Sequence, residues 1–315
     1  MNRFAVSLAL ALGLLAWRLP VCRAGEDGPD TRTADVVYGK KEGVALTMDV
    51  FTPKKNANGA AVIWVVSGGW FSSHANISPK IAEPFTKRGY TVFAVVHGSQ
   101  PRFTIPEILQ DMHRATRYIR YHAKDYKIDP DRIGISGASA GGHLSLMQGM
   151  AGDLGDPKAK DPVDRVSGRV QAVACFFPPA DFLNYGENGK DAIGRGTLAA
   201  FKAAFDFKVL DPKTKAFERI TDEKKIVEIG TAISPITHVS ADDPPTLIIH
   251  GDKDFLVPIQ QAEIIVAKLK EVGVPAELVV RPGAAHGWKD LNNDLSIFAD
   301  WHDKHLKKSR LTKSL

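Results

Sequence analysis

Apolar residues along this chain gather in short, wholly hydrophobic runs separated by stretches of helical periodicity, an alternation that predicts a mostly parallel α/β sheet with helices on both faces. Ala60 to Val66 is a continuous apolar run of strand length, as suits a strand buried on both sides. Ahead of it, Val36 to Tyr38 and Ala45 to Phe51 read as an antiparallel opening hairpin, because Leu46, Met48 and Val50 alternate with polar neighbours. A helix around Ser78 to Arg88, a strand at Tyr90 to Val96 and a long helix from Pro106 to Tyr126 continue the series. Arg132 to Ser136 and Val170 to Phe177 are further strands, and the helix between them shows Leu144, Leu146 and Met147 on its apolar face. Pro245 to His250, Ile259 to Val272, Ala276 to Arg281 and Leu291 to Leu306 complete the pattern as strand, helix, strand and helix.

Between about 184 and 240 the alternation fails. Glycines and charges dominate this segment, and a helix is expected from Thr197 to Phe207 with Leu198, Phe201 and Phe205 at helical spacing. Its place between two sheet strands predicts a small cap insertion. The apolar stripe suits either a packed core helix or the wall of a ligand pocket.

The N-terminus follows another pattern. Asn2 and Arg3 precede an almost wholly apolar run from Phe4 to Trp17, followed by Arg18-Leu-Pro-Val-Cys-Arg-Ala24. The run is short for a membrane span, Pro20 breaks it, and Ala24 supplies a small residue before a cut, so residues 1–24 are expected to be a secretory signal peptide. Export to the periplasm or beyond follows, with no stable membrane span after cleavage. Val21 is bulky for a lipid-attachment signal at Cys22. Residues 25–34 are polar and expected to be a flexible arm, the folded domain running from 35 to 311 and a short tail from 312 to 315.

Loss of the leader changes the charge balance. The whole chain of 315 residues has 41 basic and 36 acidic residues; without Arg3, Arg18 and Arg23 the basic count is 38, for a net charge of +2. So slight an excess gives no basic surface that would call for nucleic acid. Hydrophobic residues make up 44% of the chain, enough for a sizeable core. Cys22 would leave with the leader and Cys175 lies in an apolar run, so no intramolecular disulfide is expected.

The chemistry is concentrated at Gly137-Ala-Ser139-Ala-Gly141, which follows the strand at Arg132 and opens the next helix. A serine at so sharp a turn is held in strained backbone, with small residues two positions away because strand and helix crowd together. The turn exposes its hydroxyl, and the helix N-terminus, beginning with Ala140, aims free N–H groups at a developing oxyanion. Such a serine requires a base and a carboxylate that orients the base, both following strand ends on the same side of the sheet. After the strand ending at His250 come Asp252 and Asp254, and after the strand ending at Arg281 comes Pro282-Gly-Ala-Ala-His286-Gly-Trp288. The chain order is serine, acid, histidine.

On these motifs the chain resembles an α/β-hydrolase-fold serine esterase, similar to bacterial acetyl-xylan/feruloyl-type esterases and the hormone-sensitive-lipase-like branch. The resemblance implies Ser139 as nucleophile, His286 as base and Asp254, in His250-Gly-x-x-Asp254-x-x-Val-Pro258, as the acid. It leaves Asp252 as a turn-former and Asp181, at the end of an earlier strand, as a weaker candidate. Where related esterases carry His-Gly-Gly-Gly-Trp, this chain has Val66-Ser67-Gly68-Gly69-Trp70, a departure that changes the bonding within the loop. Gly68, Gly69 and Ala140 are expected to supply the oxyanion hole, and Trp70, Phe71 and Trp288 to contact substrate. His97, His143 and His250 read as structural, Asp111, Arg114 and Arg117 read as a salt-bridged helix face, and no metal or cofactor is implied. The expected activity is hydrolysis of short acyl or carbohydrate acyl esters through an acyl-enzyme. A prolyl-oligopeptidase-like peptidase has the same triad order but usually also a large N-terminal propeller, for which there is no room before residue 35. A catalytically silent binding protein on this fold is the rival that the altered loop would favour.

Overall fold

The computed structural model describes residues 28–306, so the leader, Cys22 and the 312–315 tail lie outside the described residues. Its central sheet has eight strands: β1 (Asp30–Lys41), β2 (Val44–Pro53), β3 (Ala61–Val66), β4 (Thr91–Val96), β5 (Ile133–Ala138), β6 (Ala172–Phe176), and, after a separate hairpin of β7 (Lys208–Leu210) and β8 (Phe217–Arg219), β9 (Thr246–Gly251) and β10 (Ala276–Arg281). Strand order is β1-β2-β4-β3-β5-β6-β9-β10, with β1 and β2 antiparallel and β4 onward parallel.

Strand periodicity divides the core. Ala61, Ile63 and Val65 of β3 join one apolar cluster while Val62, Trp64 and Val66 join the other. The first cluster is covered by α2 (Ile105–Tyr121), α3 (Ala140–Met150) and α5 (Gln260–Glu271), and the second by α1 (Pro79–Thr86) and α6 (Leu295–Leu306). Both faces are therefore dry, which is why these strands lack polar alternation. Cys175 is wholly buried in β6, where burial pushes its thiol upward.

Three boundaries differ from the sequence reading. β1 already begins at Asp30, so residues 30–33 of the expected arm pair with β2, as in Asp30 with Pro53 and Arg32 with Phe51. The second helix stops at Tyr121 rather than Tyr126, since the chain turns there and Ile128 N–H closes onto Ala123 O. The helix expected at Thr197 to Phe207 is a kinked pair of tight 3-10 turns at Gly196–Phe205, with Leu198 and Phe201 off helical backbone. The insertion also holds the β7–β8 hairpin and α4 (Glu223–Ala232), which Asp222 caps through the N–H groups of Lys224 and Lys225.

The charged face of α2 also pairs differently from its spacing. Asp111 binds Lys41, Arg114 binds Asp161 and Asp164, and Arg117 binds Asp153, so each fastens α2 to another segment.

Candidate active site

At the junction of β5 and α3, Ser139 has φ 54° and ψ −119°, outside the favoured regions for a non-glycine residue. The surroundings hold it there. A Cβ on Gly137 would lie 2.4 Å from Gly141 O, and one on Gly141 would lie 2.8 Å from Val65 O, so glycine is obligatory on either side. Ser139 N–H is tied to Phe176 O at 3.0 Å, which fixes the elbow against β6.

The loops after β9 and β10 are laced together. Lys253 N–H donates to Ala284 O at 2.9 Å, and Gly283 N–H donates to the Asp252 carboxylate at 2.6 Å, giving Asp252 a loop-tying place. The interlock brings His286 between the two other residues: its Nδ1 is 2.7 Å from Asp254 Oδ2 and its Nε2 is 2.9 Å from Ser139 Oγ. A carboxylate only accepts, so Nδ1 carries the proton and Nε2 presents its lone pair to the serine hydroxyl. Phe177 packs on the imidazole with ring centroids 4.4 Å apart.

Asp254 is buried and fully engaged. Its Oδ1 accepts the N–H groups of Leu256 and Val257, each at 2.9 Å, while Oδ2 faces both His286 and, at 3.3 Å, His250 Nε2. Burial pushes this carboxyl upward, but hydrogen bonds from His250, His286 and Val257 outweigh it and hold the group well below the usual carboxylate range. It is therefore ionised at neutral pH. Asp181 lies elsewhere, its carboxylate capping Leu183 and Asn184.

Gly68 to Phe71 forms a tight turn in which Gly68 N–H donates to Phe71 O and Phe71 N–H donates to Gly68 O. Gly69 and Trp70 both have positive φ, 55° and 60°, as a type I′ turn requires. Gly68 is thus corrected as an oxyanion donor, because its N–H is spent inside the turn. The tip amides of Gly69 and Trp70 make no hydrogen bond among the described residues. Ala140, as the first residue of α3, also has no intrahelical acceptor for its N–H.

The expected substrate contacts separate. The Trp70 side chain is buried among His143, Phe182, Phe201 and Phe205, which corrects its assignment to a substrate surface. Phe71 is half exposed and lines a groove of about 410 Å³ with Ser72, His97, Gln100 and Phe103. Trp288 packs against Phe176 and Phe177 and donates its indole N–H to Asp294. Leu198 and Phe205 are buried in the core, whereas Phe201 is partly open and sits over the Gly68–Phe71 turn, where a Cβ on Gly69 would lie 2.4 Å from its ring. Sequence reading takes His250 and His143 as structural; His250 reaches Asp254, while His143 binds the Trp70 indole and Ile233 O. The spacing of His250 four residues before Asp254, and His143 four after Ser139, was the available signal.

Asp35, Asp49 and His74 also converge, although Asp49 already binds Arg32 and the N–H of Asp35. No helix among the described residues is long and apolar enough to cross a membrane.

Residues 48–269 match the BD-FAE family profile. The chain belongs to the BD-FAE family. A probable carboxylic ester hydrolase from Mycobacterium tuberculosis, LipM, is 31% identical over 242 residues, which cover 76% of this chain and 52% of that one. This BD-FAE chain spans about half to under two thirds of the length of the curated mycobacterial relatives it matches. Among solved structures, a truncated carbohydrate esterase from gut microbiota is 27% identical with a TM-score of 0.70, covering 89% of this chain and 99% of that one. A thermophilic esterase from Thermogutta terrifontis is 25% identical with a TM-score of 0.62, over 84% and 89% of the two chains. These likenesses agree with the α/β-hydrolase fold that the serine, acid and histidine motifs imply.

Proposed function

We propose that this protein is an exported carboxylic ester hydrolase that cleaves short acyl esters, carbohydrate acyl esters among them. The observation that carries the reading is the line from Ser139 Oγ through His286 to Asp254, with distances of 2.9 and 2.7 Å. Ser139 Oγ attacks the ester carbonyl carbon while His286 Nε2 takes the hydroxyl proton, and Asp254 steadies the resulting imidazolium. The carbonyl oxygen becomes an oxyanion held by the N–H groups of Ala140 and of the Gly69-Trp70 turn. Collapse of this intermediate breaks the bond to the alcohol oxygen, which leaves with the proton from His286. Water then gives its proton to His286 and attacks the acyl-enzyme, and the carboxylic acid departs as Ser139 regains its proton.

Phe201 supports the short-acyl part of the reading, since its ring limits the space over Gly69. The likeness to a carbohydrate esterase from gut microbiota supports the sugar alcohol. The apolar run after Arg3 supports export.

A labelled fluorophosphonate and a panel of acetylated sugars and p-nitrophenyl esters test the activity. Labelling that disappears in Ser139→Ala, with turnover of the shortest acyl groups, is expected. A folded wild-type protein that neither labels nor turns over any ester would instead be a binding protein on this scaffold. Export is tested by sequencing the N-terminus of protein from fractionated cells, with a new terminus near Gly25 expected.

A further inference from the structure

A buried chain of hydrogen bonds joins three separate parts of the protein beneath the candidate oxyanion hole. Trp70 Nε1–H donates to His143 Nδ1 at 3.2 Å, and His143 Nε2 is 2.7 Å from Ile233 O. Trp70 belongs to the oxyanion turn, His143 to the helix that begins just after Ser139, and Ile233 to the C-terminal end of α4 in the insertion. A carbonyl oxygen only accepts, so the ring proton of His143 sits on Nε2 and Nδ1 receives the indole N–H. Both ring nitrogens are satisfied, and the histidine is wholly buried.

Trp70 needs such an anchor. Its φ of 60° is unfavourable for a bulky side chain, and the amide bearing that strain is one of the two unpaired N–H groups at the tip of the turn. The indole is held from four sides: edge-on by His143, Phe201 and Phe205 and tilted against Phe182. Packing alone would fix the depth of the ring, whereas the hydrogen bond also fixes its rotation and therefore the backbone above it.

We propose that His143 is a positioning residue, which through Trp70 registers the oxyanion turn against the nucleophile helix and the insertion. The inference rests on the reading that Ser139 attacks an ester carbonyl. A histidine suits the place because it accepts at one end and donates at the other across a rigid ring. Burial lowers its pKa to about 4, so Nδ1 keeps its lone pair at neutral pH.

Trp70→Phe, His143→Leu and His143→Gln test this with p-nitrophenyl acetate kinetics, binding of a trifluoromethyl ketone that forms an oxyanion adduct, and thermal melting. His143→Leu and Trp70→Phe are expected to lower kcat/KM by about 100-fold, as a misplacement of order 1 Å does, and to weaken the ketone equally. KM is expected to change little. His143→Gln, whose amide can both accept and donate, should recover most of the loss. If His143→Leu fails to fold, Trp70→Phe, which keeps an aromatic ring but removes the indole N–H, carries the test. Folded variants with wild-type kcat/KM, or losses that follow KM and melting temperature while ketone affinity holds, would overturn the proposal. A wild-type protein inactive on every ester would instead defeat the esterase reading, so the two failures are distinct.

Discussion

His250 Nε2 lies 3.3 Å from Asp254 Oδ2, four residues away on the same loop, and also donates to Val257 O at 2.8 Å. The pair is wholly buried, so the acid is oriented from below by one histidine while it orients His286 above. This arrangement separates Asp254 from the other nearby aspartates in ways that can be measured.

Asp254→Asn should lower kcat by about 10⁴-fold, because an amide can no longer hold Nδ1–H of His286 in the required tautomer. Asp181→Asn and Asp252→Asn should leave kcat within a few-fold, since one caps a turn and the other ties two loops. Steady-state kinetics on the three folded variants decide the matter. A crippling effect of Asp181→Asn would place the acid elsewhere.

Ser139→Ala should abolish ester hydrolysis and fluorophosphonate labelling while the melting temperature stays close to wild type. The hydroxyl pairs with His286 Nε2, and the backbone strain at this position is the same for serine and alanine. Turnover by the purified variant at more than a trace level would remove Ser139 from the mechanism.

The two aromatics of the insertion should behave differently. Phe205→Ala should cost about 3–5 kcal/mol of stability, the usual penalty for emptying a buried aromatic site, with all ester activities falling together. Phe201→Ala should instead raise the ratio of kcat/KM for butyryl over acetyl esters, because the ring that crowds Gly69 is gone. An unchanged ratio in folded Phe201→Ala would assign that residue to packing alone.

Stability should fall on mild acidification. Burial lowers the pKa values of His97 and His143 to about 4 and that of His302 to about 3. In the unfolded chain these histidines titrate near about 6.5, so between there and pH 4 the unfolded state binds more protons than the folded one. Stability is therefore complete above that range and is lost as pH falls through it, at roughly 1 kcal/mol per pH unit for each histidine. Urea unfolding at pH 7 and pH 5 measures the slope, which should be smaller in His143→Gln by one proton. Equal stability at both pH values would contradict the buried neutral state.

Local sequence alone determined the alternation of strands and helices, the serine elbow and the order of serine, acid and histidine. Each is encoded by residues adjacent in the chain: an apolar run such as Ala60 to Val66, glycines two positions either side of Ser139, or an aspartate just past a strand. The antiparallel start at Asp30 was not legible, because Thr31, Arg32 and Thr33 form an exposed edge strand without an apolar pattern and are held by pairing with β2. The helical spacing of Leu198, Phe201 and Phe205 suggested a regular helix, yet the chain kinks there as those side chains pack in different places, Phe205 beside Trp70 and Phe201 over Gly69. Tertiary structure alone decided that Trp70 points into the core rather than toward substrate, and that its indole reaches His143. These outcomes depend on hydrogen bonds and contacts from segments over 70 residues apart in the chain, such as Trp70 with His143, which no local periodicity can register.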